Sequence, residues 1–163
     1  MLADFTILFG QGMGIVFGLN EDLIKSRLKS DAAEVQTTIY KDDQVASKAV
    51  TDKSWNYMQR AHMHAGGLGT TAVVLIVVLC LVGAPHVATM LISLVLGAGG
   101  LGYSIFWMWA GFRAPGLGST GAANKSLEWL AMPSSGGFVL ATIAVLFFVL
   151  VWIFTNRREE SRA

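Results

Sequence analysis

Apolar and polar positions divide the chain into four apolar runs, two long polar connections and one short break. The first run covers 3–19. Its glycines Gly10, Gly14 and Gly18 recur every fourth residue, so they fall close to one helical face. In lipid, such a face lets a second backbone approach and gain van der Waals contact. Gln11 and Gly12 weaken the run as a free-standing span, so it reads as a membrane span or as a helix lying on the membrane. It opens with Asp4 rather than positive charge and passes into Leu19-Asn20-Glu21, with no small-residue cleavage site. That pattern predicts a retained helix and not a signal peptide.

Residues 20–63 are polar. Asn20 is a candidate N-cap, with Glu21 and Asp22 in the first turn where the helix dipole favours acids. Leu23, Ile24 and Leu28 then share a face, and Lys25, Arg27 and Lys29 lie largely elsewhere. This predicts an amphipathic interfacial helix ending near Val35, apolar side toward lipid. Residues 36–50 show no clear period. Thr51 is the expected cap of a helix starting at Asp52 and entering the second span, 64–83. From Ala65 to Ala84 there are 20 residues without Asp, Glu, Lys or Arg, enough to cross a bilayer. Trp55 and Tyr57 suit its boundary, and Gly66 and Gly69 form a small-residue patch.

Gly83-Ala84-Pro85 predicts a tight hairpin into a third span, 86–112. Its middle is rich in small residues, including Ala98 and Gly102. Its far end is aromatic: Tyr103, Phe106, Trp107, Trp109 and Phe112. Residues 113–135 form a connection with a short helix over 121–131, capped by Ser119 or Thr120 and stopped by Met132-Pro133. The fourth span is 136–154, and Arg157, Arg158, Glu159, Glu160 and Arg162 make a charged tail. The pattern thus predicts an all-α integral membrane protein forming a single membrane domain over 1–163. It is a small bundle of four transmembrane helices, or three plus an interfacial one, with an amphipathic cytoplasmic connection.

Composition agrees. The chain is 53% hydrophobic and 14% charged, with mean hydropathy +0.54, whereas soluble domains are about 25% charged. A net charge of +1 and the lack of a basic stripe with interleaved aromatics exclude a nucleic-acid partner. One cysteine, Cys80, excludes an internal disulfide. The connection 20–63 holds seven basic residues (Lys25, Arg27, Lys29, Lys41, Lys48, Lys53, Arg60) and 113–135 holds two (Arg113, Lys125), against three in the tail (Arg157, Arg158, Arg162). This imbalance places both long connections in the cytoplasm of a plasma (inner) membrane. The expected partners are the bilayer and other membrane subunits, or a second copy.

Candidate chemistry is sparse. No span interior holds Asp, Glu, Lys or Arg, which argues against a proton-coupled or ion-coupled transporter. His62 and His64 are two residues apart, so in a helix they point about 200° away from each other and cannot share a metal. His64 and Met108 fall roughly level across the hairpin, and a His–Met haem is the remaining ligation pattern. No nucleophile elbow, zinc-protease, paired-cysteine or phosphate-loop motif occurs. One constellation is left. Arg60, His64, Arg113, Glu128, Trp107 and Trp129 map to the cytoplasmic boundary, where cations and aromatic rings can hold an anionic lipid, a quinone or a haem. In that reading Arg60 and His64 turn inward toward Arg113, Glu128 offsets the positive charge, and His62 is the dispensable histidine. The leading expectation for the whole is a non-enzymatic subunit or accessory protein of a larger membrane assembly. Helix packing would run through Gly10, Gly14, Gly18, Gly66, Gly69, Ala98 and Gly102. A redox-associated subunit is the alternative.

Overall fold

The computed structural model of the chain describes residues 1–160. Of the charged tail, Arg162 lies outside them. The described residues form five helices and no strand: α1 (Leu2–Ala33), α2 (Gln44–Leu81), α3 (His86–Arg113), α4 (Thr120–Ser126) and α5 (Glu128–Glu160). Four of them, α1, α2, α3 and α5, are long and apolar enough to cross a membrane.

The helix boundaries correct the sequence reading at three places. Asn20 marks the expected break between two helical stretches, but as a kink within α1 and not as an N-cap of the second. It bends α1 (φ −131°, ψ 26°) while its amide donates back to the Val16 carbonyl at 3.3 Å. Thr51 is not a cap. It lies inside α2, buried, with its hydroxyl donating to the Ser47 carbonyl at 2.9 Å, a back-bond that lets threonine sit within a helix. The cap is Asp43, whose carboxylate accepts from the Val45 and Ala46 amides at 2.9 and 3.0 Å. Lys41 and Asp42 precede it in the left-handed region (φ 51° and 65°) and reverse the chain. Pro133 does not stop a helix either. Leu127 (φ −121°, ψ 14°) breaks α4 from α5, and α5 then runs through Pro133. Ser119 caps α4, as one of the two expected candidates.

The helices alternate in direction and interlock through small residues. Gly69 of α2 lies against Ala3 and Ile7 of α1, Gly10 against Ala65 and Gly66, and Gly14 against the His62 ring. Gly111 of α3 lies against Met58 and Ser54 of α2, and Gly99 and Gly102 of α3 lie against Ser134 of α5. At Gly10 a methyl group would sit 2.9 Å from the Ala65 Cβ, so no larger residue fits without moving a backbone. Gly18 and Gly66 instead meet open space, and Ala98 is exposed. Each four-residue step advances about 400°, so Gly18 has drifted roughly 80° from Gly10 and left the contact. Ala98 falls between the α1-facing Gly97 and the α5-facing Gly99.

The hairpin half of the bundle is a core of Ala72, Leu79, Leu96, Phe138, Ala141 and Val145, with only Ala3 from α1. At the opposite end Tyr57, Phe106, Ala110, Ala123 and Leu127 form a second core. The two long connections meet there. The Tyr40 hydroxyl donates to the Pro115 carbonyl at 2.8 Å, and Gly118 (φ +66°) packs beneath Ile39. The second half of α1 does not offer its apolar face outward. Leu28 and Ala32 are buried within the protein, and only Leu23 is well exposed.

Candidate functional site

α2 continues past its apolar run by about five turns, which places Tyr57, Arg60 and His64 along the aromatic end of α3. The Arg60 guanidinium lies 5.5 Å from the Tyr57 ring centre and 5.1 Å from that of Trp107. The attraction is between the cation and the negative ring faces. His64 stacks on Trp107 at 5.9 Å and meets Tyr103 edge-on at 5.1 Å. Its Nδ1 lies 2.7 Å from the Arg60 carbonyl. A carbonyl only accepts, so Nδ1 carries the proton of that bond. Tyr57 packs edge-on against Trp107 at 4.7 Å, and its hydroxyl accepts from the Asn124 amide of α4 at 3.1 Å. Within this cluster the Trp107 Nε1–H and the Asn124 Oδ1 are buried without a hydrogen-bond partner.

The structure gathers only part of the expected constellation. Arg60, His64 and Trp107 meet. Arg113 is half-buried in the last turn of α3, and Glu128 is exposed in the first turn of α5. Among the described residues neither forms a salt bridge, and Glu128 makes no direct ion pair with Arg60. Trp129 is exposed and packs edge-on against Trp109 at 6.4 Å, away from the cluster. Met108 belongs to another environment, a cavity of about 410 Å³ lined by Phe9, Met13, Phe17, Met58 and Phe112. It is therefore not paired with His64.

His62 is the histidine that hydrogen-bonds across two helices. Its Nδ1 donates to the Gly10 carbonyl of α1 at 2.7 Å, and its ring fills the space beside Gly14. This contact gives His62 a structural part that the spacing alone does not show. No group of three or more His, Cys, Asp and Glu suited to a metal occurs among the described residues.

A second feature escaped the sequence reading. A cleft of about 810 Å³ runs between the second half of α1 and the start of α2, lined by Lys25, Lys29, Gln36, Lys48, Asp52 and Trp55. The available signal was Ser47, Thr51 and Ser54, three small polar residues at helical spacing, all buried. They mark a face of α2 that another helix covers.

Comparisons with protein-family models, with curated proteins and with solved structures return no match.

Proposed function

We propose that this chain is a non-enzymatic subunit or accessory protein of a larger membrane assembly. The supporting observation is a half-covered face. The first turns of α1 pack on Gly69 of α2 and Gly97 of α3, and Thr6 donates to the Gly97 carbonyl at 3.3 Å. Beyond that level both helices continue for roughly 17 Å to the hairpin. Met90 lies two turns before Gly97 on the same face of α3 and is exposed, and Cys80 lies three turns after Gly69 on the same face of α2 and is exposed. The face that holds α1 thus extends past α1. In lipid, helix association depends on close packing against such a face. A partner helix gains that contact there without displacing anything. Extraction into a mild detergent or native lipid discs followed by mass measurement tests this. A species well above the 17.5 kDa chain mass plus its belt is expected. A monomer under every mild condition would rule the reading out.

A second reading rests on Arg60, which faces Trp107 and forms no salt bridge among the described residues, and on the unpartnered Trp107 N–H. An anionic lipid, a quinone carbonyl or a haem propionate would accept from the exposed Arg60 guanidinium. A visible spectrum and an organic extract of the purified protein decide it. A Soret band or stoichiometric quinone supports it, and a colourless protein with bulk lipid alone removes the cofactor.

A further inference from the structure

The lysine-lined cleft lies on a different side of α2 from the aromatic cluster. Lys25 and Lys29 are four residues apart on one face of α1, and Lys48 comes from α2. The acids near them are engaged. Asp52 holds Lys48 at 2.9 Å, and Glu21 pairs with Lys25. Lys29 is exposed and forms no salt bridge among the described residues. The cleft walls thus carry three ammonium groups, two of them paired to carboxylates, and Lys29 leaves a surplus of one positive charge. The Gln36 Nε2 adds a buried amide donor with no hydrogen-bond partner. Donors from two helices with a surplus of positive charge suit an oxyanion with several acceptor oxygens.

The position of the cleft narrows the source. Trp55 closes one end, with the Lys25 ammonium 5.2 Å from its ring centre. The same ring lies 5.5 Å from that of Phe17, in the last turn of the apolar run before the bend at Asn20. The cleft therefore opens where α1 leaves its apolar stretch, at head-group depth if that stretch enters the bilayer. Tryptophan beside lysine is a combination suited to that depth.

We propose that this cleft binds a phosphate-bearing anion, with the head group of an acidic phospholipid as the source that its position favours. The test uses the full chain in phosphatidylcholine nanodiscs, read by thermal shift, with phosphatidylglycerol added to the disc or with inorganic pyrophosphate titrated into the buffer. Phosphatidylglycerol is expected to stabilise the protein saturably. Lys29→Gln and Lys48→Gln should each weaken that response about fivefold, and Lys29→Arg should keep it. Lys53→Gln, exposed on α2 outside the cleft, should leave it unchanged. Saturation by pyrophosphate with the same lysine dependence, and none by phosphatidylglycerol, would keep the phosphate site and assign it to a soluble ligand. No response to either probe would overturn the proposal. So would a loss in Lys53→Gln equal to that in Lys29→Gln, because the charge would then act diffusely.

Discussion

At the scale of single residues, the two histidines do different work although they are two positions apart. His62 hydrogen-bonds the Gly10 carbonyl of another helix, while His64 bonds the Arg60 carbonyl of its own helix. Removing His62 deletes an inter-helix bond and leaves a void beside Gly14. His62→Ala should therefore lower detergent stability by roughly 1–3 kcal/mol. His64→Ala should cost less, because its ring is half-exposed on Trp107. Thermal unfolding of both variants checks the order, and a larger loss in His64→Ala would contradict it. The glycines make a second contrast. Gly10→Ala forces a methyl group into Ala65 and the Gly66 backbone, with overpacking of about 1–3 kcal/mol. Gly18→Ala meets nothing within 4 Å. It should gain up to about 1 kcal/mol from the better helix propensity of alanine. The sequence showed three equivalent glycines. It could not show how far a four-residue repeat drifts, nor which ring fills the space beside Gly14.

At the scale of elements, apolar runs were legible and helix ends were not. Hydrophobic length alone located α2, α3 and α5 through their uncharged stretches. The N-terminus of α2 was misplaced because Thr51 offers the same hydroxyl as a cap, and only burial against a neighbour shows that it bonds backward to Ser47. Asp43→Ala should unravel the first turn of α2 and cost about 0.5–2 kcal/mol. Hydrogen exchange should then quicken at Val45 and Ala46, whose amides it holds. Unchanged exchange there would show that the cap is not needed. The second half of α1 was read as lipid-facing from its amphipathic period. Period alone cannot tell a lipid from a protein surface, and Leu28 and Ala32 face protein. The same limit hides the lysine cleft, since the period places Lys25 and Lys29 off the apolar face without showing that α2 lies against them.

At the scale of the whole molecule, the two connections are tied together through Tyr40 and Pro115. Burial pushes the Tyr40 hydroxyl above the usual phenol range. The unfolded chain therefore releases this proton first as pH rises. The stabilisation is whole below about pH 10 and is lost above it, as the pH climbs toward the raised folded value. Tyr40→Phe should lose one hydrogen bond, about 0.5–1.5 kcal/mol near neutrality, and flatten the alkaline fall. An equally steep fall in Tyr40→Phe would assign it to other groups. The aromatic cluster was half legible for the same reason that the tie was not. Arg60 and His64 share a helix face by spacing, whereas contact with Trp107 and the distance of Glu128 and Trp129 from it depend on how α4 and α5 return. The half-covered face of α2 and α3 holds the one thiol of the chain, Cys80, three turns past Gly69, which packs on α1. A thiol-reactive benzophenone placed on Cys80 in intact membranes reads directly what lies against that face. Assembly through this face predicts a discrete protein adduct on illumination, at twice the chain mass for a second copy or at a fixed higher mass for another subunit, and none in Cys80→Ser. Adducts with lipid alone, at full labelling of Cys80, would contradict it.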